Sequence, residues 1–257
     1  MKIGSIQFNP RAKYNLSKHV VSNPLLRQPA CDAFEKQNKT SNTQAQISML
    51  GNNLHYPTIK TMIIALNDKD PYTNNHSERV ALYSLLFAKE LNISELEEVE
   101  TAGLLHDIGK IIIPNSILCK EGRLTSEEYE IIKTHPNNSE LLLQGYDTFS
   151  EILPAIKHHH ERWDGFGYPN GIEKEKIPYI ARIIMLADTY DAMTSVRAYR
   201  NAIPHKETIE EIKRCANHQF DPELTEKFIK AEELMYNAKN HPQKYKEKYS
   251  ILTNKIN

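Results

Sequence analysis

Between residues 54 and 238, apolar positions recur at the three- and four-residue spacing of helices that bury one face. Residues able to cap helix starts punctuate that pattern. Ser94 with Glu97 predicts a capping box opening SELEEVETAGLLHD, and Thr125 with Glu128 predicts another opening TSEEYEIIKTH. In each, a hydroxyl takes a first-turn amide while the later Glu reaches back to the cap amide. Asn74 or Asn75 is placed to cap HSERVALYSLLFAKEL, and Pro178 suits the first turn of PYIARIIMLADTYDAMTS, where its missing N–H costs nothing. Further helices are expected at 151–162, 205–216 and 222–236. Strand-like alternation is scarce and no fixed-period repeat stands out, so the predicted fold is all-α, a bundle of roughly seven or more helices.

The flanks break the pattern. Residues 1–53 are rich in Asn, Gln, Ser and Lys, with Pro10, Pro24 and Pro29 interrupting any long helix, and read as a disordered or weakly ordered arm. Residues 239–257 are polar and Lys-rich, and read as a fraying tail. The expected division is therefore an arm (1–53), a helical domain (54–238) and a tail (239–257).

Composition narrows the function. A net charge of −1 over 257 residues gives no whole-chain sign of the basic face that duplex nucleic acid needs, though it leaves room for a local basic cluster that takes a small phosphorylated ligand. Cys31, Cys119 and Cys215 are scattered, odd in number and without a CxxC pair, which fits a reducing compartment better than a disulfide framework. The longest apolar runs, such as IIMLA at 183–187, fall far short of the ~20 residues that span a bilayer. The N-terminus lacks the continuous apolar core of a secretory signal, so a cytoplasmic location without membrane contact is expected.

The candidate chemistry lies in the histidines and two carboxylates. Six of the eleven His fall between 76 and 160: His76, His106, His135, His158, His159 and His160. One His on a helix is ordinarily a packed or surface residue. Here His106 and Asp107 adjoin at the end of the apolar stretch TAGLLHD, and Asp188 lies inside the apolar helix IARIIMLADTYDA. A carboxylate is costly there unless something pairs it, and a divalent metal does so. One ligand group per helix on several helices is how bundle cores build metal sites. Polar helix ends facing water would explain His135 or His158, but not Asp107 and Asp188.

These residues resemble a known family. HDIGK at 106–110 matches the signature of the HD phosphohydrolase superfamily, and HHERWDGFGYP at 159–169 with DTYDAMTSVRAYR at 188–200 narrows the resemblance to the HD-GYP family. DPYTNNHSERV at 70–80, IP at 113–114, LTSEEY at 124–129 and KTHP at 133–136 match in order and spacing, so the resemblance covers roughly residues 54–236. It implies a helical HD-domain bundle that binds two or three metals and hydrolyses cyclic di-GMP or a related cyclic dinucleotide. The implied ligands are His76, His106, Asp107, His135, His159, His160 and Asp188. Glu161 fixes the family's His-His-Glu order on His159 and His160, leaving His158 as packing or solvent-facing. Three-metal members carry a Glu four residues before the first ligand His; Tyr72 stands there, implying two metals.

Two divalent ions would activate water and neutralise a phosphodiester at neutral pH, with Asp107 bridging and serving catalysis. Mixed N/O donors without thiolate suit Fe or Mn, with Zn, Co or Ni able to substitute. Lys110, three residues past Asp107, would face the same side if helical geometry persists there; the resemblance implies that it helps hold the scissile phosphate, where a cation stabilises transition-state charge, adding it to the catalytic set. The resemblance puts Arg197 and Arg200 near the second phosphate, where a guanidinium binds bidentately, and Asp70 at a guanine or a basic partner. The loop WDGFGYPNG, with three glycines and a proline, predicts a shaped non-helical segment. In it Tyr168 is expected either to touch the ligand or to pack, and Trp163 to pack. The expected activity is a phosphodiesterase giving linear pGpG from cyclic di-GMP, with GMP as a further product. The alternatives are the same chemistry on another cyclic dinucleotide or nucleotide, and a non-catalytic signalling module. Signalling-protein partners at the GYP loop and a homodimer are compatible with this reading.

Overall fold

The computed structural model describes residues 42–70, 75–196 and 201–252, with backbone alone over 42–55. The chain divides into a unit Met1–Thr43 and a unit Gln44–Asn257, and the helical core lies in the second. The helices run in the order α1 (Asn42–Lys69), α2 (His76–Glu90), α3 (Leu96–Leu105), α4 (Asn115–Leu118), α5 (Ser126–Ile132), α6 (His135–Leu143), α7 (Leu153–Lys157), α8 (Tyr179–Thr194), α9 (His205–Arg214), α10 (Pro222–Lys230), α11 (Glu232–Asn240) and α12 (Pro242–Tyr249). Among the described residues there is no strand, only an isolated bridge between Ala216 and Phe220. The fold is all-α, as the periodicity predicts.

Two helices form the centre. Every residue of α2 from Val80 to Ala88 is buried, and α8 buries Ala181, Ile183 to Ala187, Tyr190, Asp191 and Thr194. Helices apolar on all sides belong inside, with others packed around them. Accordingly α3, α8, α11 and α12 all pack on α2. Phe87 of α2 meets Phe228 of α10 edge to face at 5.1 Å. Truncating such a buried ring to Ala costs about 3–5 kcal/mol. The outer α9 is amphipathic and buries only Thr208, Ile209 and Ile212.

Local expectations fare unevenly. The Thr125–Glu128 capping box forms with both reciprocal bonds. The Ser94–Glu97 box does not: Ser94 bonds to Glu95, α3 begins at Leu96, and Glu97 instead accepts from the Tyr56 hydroxyl on α1. Asn75 precedes α2 in a left-handed conformation and makes no side-chain cap bond. Pro178 stands one residue before α8. The 151–162 helix is cut to α7, because after Lys157 the chain turns away and the amides of Trp163 and Asp164 pair with the carbonyls of Gln219 and His218.

Both flank boundaries shift. Helix α1 begins at Asn42, inside the stretch read as an arm. The C-terminal stretch read as a fraying tail instead forms α12 and docks. Buried Glu100 of α3 accepts from the Ser250 hydroxyl, from the Ile251 amide at 2.8 Å and from the Leu252 amide at 3.1 Å, while Lys246 pairs with Glu78 of α2. Three donors offset part of the desolvation of that carboxylate, a long-range pairing that no local pattern announces.

Candidate metal centre

The structure gathers the other six expected metal ligands around Asp107 or its immediate neighbours. His76 opens α2, His106 ends α3, His135 opens α6, His159 and His160 follow α7, and Asp188 lies within α8. Asp107 is the hub. Its Oδ2 is 3.3 Å from His106 Nε2 and 3.7 Å from His76 Nε2, while its Oδ1 is 3.1 Å from His135 Nε2 and 4.0 Å from His159 Nε2. Two donor groups therefore share one carboxylate: His76, His106 and Asp107 on one side, and Asp107, His135, His159 and His160 on the other. Asp188 Oδ1 lies beside the first group, 3.2 Å from His76 Nε2.

The tautomers follow from the backbone. His106 Nδ1 donates to Gly103 O at 2.8 Å, His135 Nδ1 to Ile132 O at 2.8 Å, and His159 Nδ1 to Ile156 O at 2.6 Å. A carbonyl can only accept, so each ring carries a proton on Nδ1 and turns Nε2 inward. His106 Nε2 and Asp107 Oδ1 are thus buried with no hydrogen-bond partner. His135 Nε2 and His159 Nε2 lie 3.3 Å apart. Buried polar atoms without a partner are costly, and a divalent cation among these converging N and O donors would supply one, so the donor set fits divalent metal.

Electrostatics prepare the same donors. Burial, with His160 and the other rings adding to it, holds His159 well below the ordinary imidazole range, and burial with His135 lowers His160 to about 3, so both are neutral. Burial alone would raise Asp107 and Asp188, but Lys110 and His106 outweigh it at Asp107, and His76 does so at Asp188; both stay ionised. His76 is the exception: burial would lower it, yet Asp188 and Asp191 raise it to about 9.

Contacts behind the donors set these positions. The Gly109 amide donates to Ser139 Oγ at 2.8 Å, and Ser139 Oγ donates to His106 O at 3.1 Å, tying the HDIGK turn to α6. Lys110 Nζ lies 2.6 Å from Asp107 Oδ2. Burial would lower Lys110, but Asp107 together with Asp70 and Asp188 keeps it protonated. Asp70 is itself buried. Tyr168 stacks on His160 with centroids 4.8 Å apart, and burial pushes its phenol up, so it remains a neutral donor. Buried Glu161 takes the Asn170 amide at 2.7 Å and anchors the following loop. His158 faces Glu161 at 3.5 Å, outside the metal-ligand groups. Trp163 packs, buried, under the Arg182 guanidinium. Arg197, Arg200 and Tyr72 lie outside the described residues.

Sequence reasoning missed Asp191, Arg79 and Ser139. The signal for Asp191 was present, since DTYD repeats a carboxylate one turn after Asp188 in the same apolar helix. Ser139 lies thirty-three residues from the carbonyl it binds and gives no local signal.

The chain has known relatives. The HD domain family matches residues 60–224, more than half of the chain. A protein of Thermotoga maritima named a cyclic di-GMP phosphodiesterase is 42% identical over 175 residues, 64% of this chain and 46% of its own length. A 3'3'-cGAMP-specific phosphodiesterase of Vibrio cholerae is 37% identical over 169 residues, 65% of this chain and 37% of its own. The crystal structure of a cyclic GMP-AMP specific phosphodiesterase of V. cholerae superposes with a TM-score of 0.53 at 19% identity, over 72% of this chain and 49% of that one, a likeness of fold. The chain spans less than half the length of these relatives. No described helix is long and apolar enough to cross a membrane. With the family match laid over the Asp107 centre, the chain belongs to the HD domain family, of the HD-GYP kind that HDIGK and HHERWDGFGYP together mark.

Proposed function

We propose that this chain hydrolyses a phosphodiester bond of a cyclic dinucleotide, cyclic di-GMP first, using two divalent ions, Fe or Mn. The observation that carries the reading is the Asp107 carboxylate, whose two oxygens face two separate histidine groups with inward-turned Nε2 atoms. His76, His106, Asp107 and Asp188 would hold one ion, and Asp107, His135, His159 and His160 the other. Bound ions supply a water acidic enough to attack at neutral pH and positive charge for the phosphate oxygens. The chain's own residues do the rest. Lys110 brings a protonated amine to the same carboxylate edge, suited to developing negative charge. Tyr168 holds His160 in place and offers a neutral hydroxyl. Arg197 and Arg200 supply cations for the second phosphate, and Asp70 contacts a base. The expected products are linear pGpG and then GMP.

The 37% identity to a cGAMP-specific enzyme favours a second reading, the same chemistry on 3'3'-cGAMP. Phe166, 85% exposed on the GYP loop, supports a protein partner there. The scattered cysteines support a cytoplasmic setting. The test is turnover by purified protein loaded with Mn or Fe under reducing conditions, with cyclic di-GMP and 3'3'-cGAMP compared side by side. Faster cleavage of cyclic di-GMP supports the first reading and faster cleavage of cGAMP the second. No cleavage of either with any plausible metal loaded overturns both.

A further inference from the structure

His76 is held differently from the other inward-turned rings. His106, His135 and His159 each donate Nδ1–H to the carbonyl three residues earlier. His76 is the first residue of α2, and its Nδ1 reaches across to Asp191 Oδ2 on α8 at 2.7 Å. Asp191 is 1% exposed and is gripped in turn by Arg79, whose Nε donates to Oδ1 at 2.6 Å and whose terminal nitrogen donates to Oδ2 at 3.0 Å. Ser195 Oγ adds a longer contact to Oδ1 at 3.3 Å. Arg79 lies one turn after His76 on α2, and Asp191 one turn after Asp188 on α8. Two consecutive turns of each central helix therefore face each other as ligand with ligand, then clamp with clamp.

We infer that Asp191, held by Arg79, is a positioning residue that fixes the ring orientation and tautomer of His76, and so sets the divalent-ion affinity of the His76–His106–Asp188 side of the centre. The inference rests on the metal reading of the site but not on its substrate. A carboxylate on the far nitrogen of a ligand imidazole fixes which nitrogen carries the proton and makes the metal-facing one a stronger donor; losing such a partner typically weakens metal binding roughly 10–100-fold. Bidentate Arg79 keeps the carboxylate ionised and fixed in plane. On the other side, His135 and His159 rest on backbone carbonyls, and among the described residues no such carboxylate backs them, so the two ions are expected to respond differently.

The experiment compares the parent chain with Asp191→Ala, Asp191→Asn and Arg79→Met. Zinc affinity is read by chelator competition, zinc stoichiometry by elemental analysis, and the fold by circular dichroism. Asp191→Ala is expected to weaken one of two zinc ions by roughly 10–100-fold and leave the other near the parent value. Asp191→Asn keeps an accepting oxygen and should fall between, as should Arg79→Met. In nitrogen-resolved imidazole spectra of the zinc-loaded parent, His76 should carry its proton on Nδ1 alone, and Asp191→Ala should lose that single form. A folded Asp191→Ala that binds both ions with parental affinity overturns the inference, as does equal weakening of both ions. If Asp191→Ala does not fold, Asp191→Asn decides by the same two readouts. A parent chain that binds no divalent ion overturns the metal reading and this inference with it, whereas absence of cyclic dinucleotide turnover touches only the substrate.

Discussion

Gly109 and Ser139 meet backbone to side chain, the Gly109 amide donating to Ser139 Oγ at 2.8 Å. A Cβ built on Gly109 would lie 2.1 Å from His135 O and 2.5 Å from Ser139 N. The HDIGK turn can therefore press against α6 only without a side chain at this position. That approach brings Asp107 Oδ1 to His135 Nε2. Gly109→Ala is expected to destabilise the fold by about 1–3 kcal/mol, since the obstruction is backbone. It should also weaken the ion on the His135 side more than the other. Denaturant unfolding and metal titration check this; parental values in both would refute the account of the glycine.

Ion binding should stabilise the chain, because buried atoms without a hydrogen-bond partner, such as His106 Nε2 and Asp107 Oδ1, would gain one only in the folded state. At free ion one hundred times Kd the gain is about 2.7 kcal/mol per site. Thermal unfolding with and without a chelator measures it, and Asp107→Ala should abolish the difference.

The pH dependence follows from His76. Asp188 and Asp191 keep its proton up to about 9, against burial that would release it. An incoming ion must displace that proton, so apparent affinity should rise with pH until about 9. In chelator-treated protein the sign runs the other way for stability. A raised imidazole value contributes fully below the ordinary 6.5 and is lost as pH climbs through about 9. Metal titrations and unfolding at several pH values read both slopes; a flat affinity profile would count against the Asp188–Asp191 pairing.

Lys110 should matter to turnover. Lys110→Met removes the cation beside Asp107 Oδ2 and is expected to lower kcat by roughly 10²–10³-fold. Lys110→Arg, which keeps the charge, should retain more activity. Equal activity of Lys110→Met and parent on cyclic di-GMP would remove Lys110 from the catalytic set.

The docked C-terminus gives a prediction remote from the metals. Burial raises Glu100 above its ordinary value despite its three donors. Its stabilising share is thus complete below that ordinary value and falls as pH rises through the folded one. Glu100→Gln keeps an accepting oxygen and removes the titration. The stability of this variant relative to the parent should therefore improve as pH rises from about 4 to about 7, read by denaturant unfolding across that range. Glu100→Ala leaves Ser250, Ile251 and Leu252 without their acceptor and should speed hydrogen exchange over 242–252. Unchanged exchange would show that the segment is held by other contacts.

The helical class is legible from residue order, and the candidate metal-centre residues from residue order together with the family motifs. Helices with one buried face leave a period that can be read locally, and buried His and Asp are costly enough that their presence in apolar runs announces a partner. The Thr125–Glu128 box is legible because both halves lie within one turn. Whatever joins distant segments waits for the folded chain. Tyr56 draws Glu97 away from the cap expected with Ser94, and Glu100 captures a tail that looks fit only to fray. Ser139 ties α6 to His106, and Asp191 with Arg79 orients His76. In each case the partner lies far along the chain, where hydrogen-bond satisfaction in the folded core, rather than spacing, selects it.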